Sequence, residues 1–223
     1  MAPQIDCERV VFHAFYHVTE IRNFRKTAFL HNKAFSKCVD SVKRLEKTAR
    51  EFGVKICLEN INASLHLDRL YYLIFSASPY DLIKTADEVK SESFKFCFDA
   101  AHAKNFCNAI NKSQKMQKLY DISELSIENF FRIISDKVDI VHLSDAKGSI
   151  ASLKNDNLPL GAGEIDFEKL LREVVKAKFD GPIVLETQET DANNAVNMVA
   201  GREYLNIILR KVHDDSKNCS LSL

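Results

Sequence analysis

Five short apolar runs, each ending in a polar group, punctuate the chain: Arg9-Val-Val-Phe-His13, Val54-Lys-Ile-Cys-Leu-Glu59, Phe94-Lys-Phe-Cys-Phe-Asp99, Val138-Asp-Ile-Val-His142 and Pro182-Ile-Val-Leu-Glu186. Runs of this length suit strands of a parallel sheet buried on both faces. Their terminal polar residues are 46, 40, 43 and 44 positions apart, about what a strand, a loop, a helix and a return loop consume. The pattern predicts five successive βα units.

Helical periodicity fills the intervals. Over residues 33–52 the apolar positions Phe35, Cys38, Val39, Val42, Leu45, Ala49 and Phe52 keep the three–four spacing of one buried face, and Gly53 supplies a left-handed stop. Ser78-Pro79 opens a helix through Val89, and Ser126 opens another through about Ser135. Asp166 caps a helix over 167–179 that buries Leu170, Leu171, Val174 and Ala177, before Gly181-Pro182 turns the chain into the last strand. A closing helix is predicted over 193–212, with Val196, Val199, Ala200, Ile207 and Ile208 on one side. Residues 62–77 read as a loop with a hairpin or a helical turn, and 104–125 as a lid or small helix. The polar stretch 214–223 reads as a disordered tail behind a single domain of residues 1–213.

Residues two apart on a strand share a face. Val11, Cys57, Cys97, Ile140 and Val184 therefore form an apolar layer beneath His13, Glu59, Asp99, His142 and Glu186. Function belongs there, because the C-terminal ends of parallel strands and the loops after them hold ligands in α/β proteins. Three carboxylates at one point cannot all stay ionised without a counter-charge, and two imidazoles beside them make a divalent cation the economical answer. The fourth run carries polar groups beyond its end, Ser144, Asp145 and Lys147. Of these, Asp145 also reads as a cap for the following turn and Lys147 as a solvated lysine.

Bulk properties narrow the setting. At 223 residues, 46% hydrophobic and 28% charged, the chain suits one soluble globular domain. Lys plus Arg equals Asp plus Glu at 31 each, so no overall positive field draws it to nucleic acid, although a local patch stays open. No N-terminal apolar core and no run near the roughly 18 residues of a membrane span is present in the sequence, and the cytoplasm is the expected location. The six cysteines form no C-x-x-C pair and read as reduced, small apolar residues.

Val-Lys-Ile-Cys-Leu-Glu59-Asn, Phe-Asp99-Ala-Ala-His102-Ala, His142-Leu-Ser-Asp145-Ala-Lys147, Leu160-Gly-Ala-Gly-Glu-Ile-Asp166-Phe and Gly181-Pro-Ile-Val-Leu-Glu186 resemble the successive signatures of the xylose isomerase-like barrel superfamily. That superfamily holds sugar isomerases and epimerases together with endonuclease IV. The resemblance spans residues 9–212 and implies a (β/α)8 TIM-barrel type of α/β fold. It further implies one divalent metal ion, Mn²⁺, Zn²⁺ or Co²⁺ with Mg²⁺ as a further candidate, held by Glu59, Asp99, His142 and Glu186. In the sugar enzymes of the superfamily the two glutamates shuttle a proton on either side of an enediolate. Glu59 and Glu186 are thus the implied catalytic pair, with His102 and Lys147, joined by His13, as substrate contacts.

Departures from the family pattern matter too. In endonuclease IV a third metal is held by the histidine matching His102 and by loop ligands that here fall on Asn155 and Asn157, poor ligands for a transition metal. Counted back from Glu186 as the eighth strand, His13 ends the fourth, so the first three βα units of the family have no counterpart here and about five parallel strands remain. A homo-oligomer completing the open barrel is one expected assembly. The resulting expectation is a metal-dependent isomerase or epimerase acting on a small sugar or hydroxy-carbonyl compound. The alternatives are an endonuclease IV-like abasic-site phosphodiesterase and a non-catalytic remnant of the fold.

Overall fold

A computed structural model describes residues 6–14, 24–61, 65–66, 70–71, 76–148, 157–188 and 195–220. In chain order the elements are β1 (Arg9–Phe12), α1 (Phe24–Glu51), β2 (Lys55–Glu59), the short strands β3 (Leu65–His66) and β4 (Leu70–Tyr71), α2 (Pro79–Val89), β5 (Phe94–Asp99), α3 (Ala100–Lys112), α4 (Gln114–Tyr120), α5 (Ile127–Ile134), β6 (Val138–Leu143), α6 (Phe167–Lys176), β7 (Ile183–Leu185) and α7 (Val196–Ser220). Among the described residues, five strands form one parallel sheet in the order β1-β2-β5-β6-β7, while β3 and β4 pair antiparallel. The sheet curls into a half-barrel with helices outside it, a partial α/β TIM-barrel fold.

Alternation along each strand sorts the side chains between two surroundings. On β5, Phe94, Phe96 and Phe98 enter the main core, where Phe98 meets the rings of Phe130 and Phe131 on α5 at 5.9 and 5.2 Å. The alternate residues Lys95, Cys97 and Asp99 share the opposite, inner face. There Cys57, Cys97 and Ile140 form a separate small apolar cluster with Val11 against it, as the strand periodicity predicts, but Val184 at the end of the row is exposed.

A charged floor lies on the inner face below that cluster. The register between β5 and β6 shifts where Phe96 pairs with Val138 and Cys97 with Ile140, and the extra residue, Asp139, accepts from Arg9 Nε at 2.6 Å and Lys55 Nζ at 2.8 Å. A bulge of this kind re-aims one side chain. In a flat sheet β1 and β6 would stand three strand spacings apart, about 14 Å, so their direct ion pair records the curl.

Caps appear where short polar residues precede the helices. Ser78 accepts the Tyr80 N–H, Ser126 that of Asn129 and Asp166 that of Lys169. Other expectations are corrected. α1 begins at Phe24, and Leu45 and Phe52 lie on its solvent side, because the buried stripe narrows to Phe35, Cys38, Val39, Val42 and Ala49 and includes Glu46, which accepts the Ser91 hydroxyl at 2.5 Å. α7 buries Gly201, Leu205, Ile208 and Val212, leaving Val196, Val199 and Ile207 outside. It also continues past Asp214, where Asp215 receives Arg172 of α6 at 2.6 Å, so a cross-helix ion pair extends what composition alone reads as a tail. Residues 104–125 contain the end of α3 and all of α4. Among the described residues, no helix is long and apolar enough to cross a membrane.

Candidate metal centre

The inner face of the curled sheet ends in a cluster of acids and imidazoles. One ligand atom each from Glu59, Asp99, His142 and Glu186 lies within 4.8 Å of every other. They do not stand in one row of the ladder: Glu59 pairs with Cys97, Asp99 with His142, and His142 with Val184. Asp99 thus lies two residues further along its strand than Glu59, and Glu186 two further than His142. Such stagger accompanies strand tilt in a closing barrel, where side chains level about the axis come from shifted positions.

Asp99 serves two elements. As the last residue of β5 and the N-cap of α3, it accepts the His102 N–H on Oδ1 at 2.6 Å, which leaves Oδ2 buried without a hydrogen-bond partner. Its main chain is pinned by Asn60, whose amide donates to the Asp99 carbonyl at 2.9 Å and accepts the Asp99 N–H at 2.8 Å. Burial pushes the Asp99 carboxyl up to about 6; the His102 ring opposes that rise and the charge of Glu59 adds to it. Among the described residues nothing is hydrogen-bonded to Oδ2, and an unbonded buried carboxylate oxygen suits a cation ligand.

Glu59 is ringed by imidazoles. His13 Nε2 lies 3.1 Å from Oε2, His142 Nδ1 3.5 Å from the same oxygen, and His102 Nδ1 3.5 Å from Oε1. Burial works to raise its carboxyl, but the His13 and His142 contacts outweigh that and hold it well below the usual range, at about 2. His102 is oriented by the backbone, with Nδ1 2.9 Å from the Asn60 carbonyl. A carbonyl only accepts, so Nδ1 carries the proton and Nε2 is the nitrogen left for a ligand.

His142 and Glu186 close the group. His142 Nδ1 lies 2.8 Å from Glu186 Oε2, yet that nitrogen makes no hydrogen bond. The two atoms approach without the angles of a bond, as ligand atoms do when they converge on a common point. Burial works to lower the His142 ring, but Cys97, Glu186 and Glu59 together hold it far above its ordinary value. Three carboxylate oxygens and one imidazole nitrogen suit Mn²⁺, Zn²⁺ or Co²⁺ better than Ca²⁺, so the residues present fit a divalent ion. The Cys97 thiol also stands within 4.8 Å of Glu59 and His142 ligand atoms, but burial pushes it up to about 12, so it is neutral.

His13 and His102 reach this cluster. Lys147 is exposed and forms no hydrogen bond or ion pair among the described residues. Asn157 is occupied in the scaffold: its side chain accepts the Ser144 hydroxyl at 3.1 Å and its carbonyl the Gln188 N–H at 2.8 Å. Asn155 lies outside the described residues. Asn60 carries no motif of its own in the sequence, although an Asn at the end of a buried strand, next to a carboxylate, signals a polar group that bonds a neighbouring strand.

Comparison with known proteins places this geometry in context. Residues 1–208 match the family described as xylose isomerase-like TIM barrel. An uncharacterized protein of Methanocaldococcus jannaschii is 25% identical over 215 residues, 96% of this chain and 62% of that protein. A probable endonuclease 4 of Mycoplasmopsis agalactiae is 24% identical over 171 residues, 74% of this chain and 53% of the relative. The chain therefore spans less than two thirds of these curated relatives. Among solved structures, an L-ribulose 3-epimerase superposes with a TM-score of 0.67 at 14% identity, covering 98% of this chain and 67% of the other, which shows a shared fold.

Proposed function

Because the chain belongs to the family of xylose isomerase-like TIM barrels, we propose that it is a divalent-metal-dependent isomerase or epimerase of a small sugar or related hydroxy-carbonyl compound. The observation that carries this reading is the convergence of Glu59, Asp99, His142 and Glu186, with Asp99 Oδ2 and His142 Nδ1 buried and unbonded. These four residues would hold the ion, which when bound supplies Lewis acidity toward a substrate carbonyl.

The chain's own groups divide the remaining work. Glu186, half exposed, takes the proton from the carbon next to the carbonyl on one side of the substrate. Glu59, buried with His13 Nε2 at 3.1 Å and His102 Nδ1 at 3.5 Å, is the second carboxylate and gives a proton to the opposite side of the enediolate, resupplied through those imidazoles. His102, through Nε2, and His13 contact substrate hydroxyls, and Lys147 makes its contact only when substrate is present.

Conversion in deuterated water tests this. A solvent deuteron should appear on the carbon adjacent to the substrate carbonyl, and Glu186→Gln should abolish that exchange even when excess metal restores occupancy, because an amide cannot accept the proton. Exchange that persists in the variant removes Glu186 from the role of base. A second reading, cleavage of abasic DNA, is favoured by the relative named probable endonuclease 4. The engagement of Asn157 with Ser144 and Gln188 weighs against the third metal position that such an enzyme uses. Incision of an abasic oligonucleotide without sugar exchange would favour that second reading.

A further inference from the structure

Asp145 lies just past β6 and is buried. Its two oxygens accept four main-chain N–H groups: Oδ1 those of Ala146 at 2.8 Å and Ile165 at 3.1 Å, Oδ2 those of Gly161 at 3.0 Å and Gly163 at 2.9 Å. No basic side chain is bonded to it among the described residues, so amides alone compensate the charge.

The segment it gathers is continuous with the metal centre. Asp145 and Leu158 exchange main-chain bonds at 2.8 and 2.9 Å, and the Ala146 carbonyl accepts Glu164 N–H at 2.9 Å. One residue before Leu158, Asn157 takes the Ser144 hydroxyl on its side chain and the Gln188 N–H on its carbonyl. Gln188 lies two residues beyond Glu186, whose own N–H is bonded to Leu143 at 3.0 Å. Asp145 thus ties the exit of β6, which carries His142, to the exit of β7, which carries Glu186. The sequence around it is built for the purpose. A Cβ on Gly163 would stand 2.2 Å from Asp145 Oδ1 and 2.6 Å from the Ala146 carbonyl, so only glycine lets the amide approach.

The geometry points to Asp145 as a positioning residue of the metal centre: its carboxylate fills an anion nest formed by Ala146, Gly161, Gly163 and Ile165 and thereby holds Glu186 in register with His142. The link to metal rests on the function proposed above; the link to the Glu186 segment stands on the hydrogen bonds alone.

Chemical rescue distinguishes this role from plain structural support. Asp145→Ala leaves four converging N–H donors with room for a small carboxylate. Amides of Gly161, Gly163, Ile165 and Gln188 should then exchange with deuterium faster than in the wild type. Co²⁺ should bind about 10- to 100-fold more weakly with a changed visible absorption spectrum. Formate, but not chloride at equal ionic strength, should reverse both effects. Unchanged Gln188 exchange and Co²⁺ affinity in a folded Asp145→Ala protein would overturn the proposal, as would a loss that formate does not reverse. If Asp145→Ala does not fold, Asp145→Asn decides: its NH2 group cannot accept, so it should show the same spectral change without formate rescue, and a wild-type spectrum overturns the role. A wild-type chain that binds no Co²⁺ refutes the metal reading separately, and formate-dependent protection of Gln188 then still upholds the positioning role, while its absence overturns it.

Discussion

Asp99 and Glu59 stand one strand apart in one cluster, yet their environments push them in opposite directions. Asp99 is raised from 3.8 to about 6, chiefly by burial, so its folded form favours the proton. The metal-free protein should lose stability as pH rises from about 4 to 6, with the whole cost present above 6. Asp99→Asn removes that cost and keeps an oxygen for the His102 N–H. Without metal it should be more stable than the wild type at pH 7 by about 1–3 kcal/mol and level with it near pH 3, while metal binding is lost. Glu59 is lowered from 4.5 to about 2, and its contribution is present above 4.5 and disappears as pH falls toward 2. Glu59→Gln should therefore destabilise the metal-free chain at pH 7, on the order of 2 kcal/mol. Urea unfolding of both variants with a chelator present checks the pair, and equal signs would refute the assignment.

At the scale of elements, the ion pairs of Asp139 with Arg9 and Lys55 tie β6 back to β1 and β2, beside the Val11, Cys57, Cys97 and Ile140 cluster. The Asp139 carboxyl is held below its usual value: burial works to raise it, but the Lys55 and Arg9 bonds outweigh that. Because Lys55 is substantially exposed, its share is screened, and Asp139→Ala should cost about 1–2 kcal/mol in total. A double-mutant cycle with Arg9→Ala should return a coupling of about 0.5–1 kcal/mol, and additive effects would mean that the Arg9–Asp139 pair adds nothing to the ladder that joins β1 to β2. The same reasoning explains why α1 and α7 deviate from their apolar patterns. Each helix buries the stripe that meets its neighbours, and Leu45, Phe52 and Ile207 fall outside it.

For the molecule as a whole, the half-barrel leaves β1 and β7 at the two ends of its sheet, and Val10 and Val184 on these strands are 37% and 42% exposed. Among the described residues no further strand pairs with either edge, and open parallel edges beside a partly uncovered inner face favour association. The 223-residue chain by itself should sediment and scatter light as dimers or larger species at micromolar concentration. A stable dilute monomer would show that these edges are satisfied within one chain.

What was legible in the sequence is what is local. Five apolar runs with polar ends, the caps at Ser78, Ser126 and Asp166, and the period-2 placement of Cys57, Cys97 and Ile140 beneath acids and imidazoles follow from pleat and capping geometry, which act over a few residues. The tertiary structure alone decided the rest, since each feature depends on which distant backbones meet. Register set the two-residue offsets that bring Glu59, Asp99, His142 and Glu186 together. A bulge turned Asp139 inward toward strands 130 and 84 residues away. Asn60 and Asp145 took their meaning from amides far along the chain, because a buried polar group is satisfied by whatever the fold carries to it, and the fold is not written beside it.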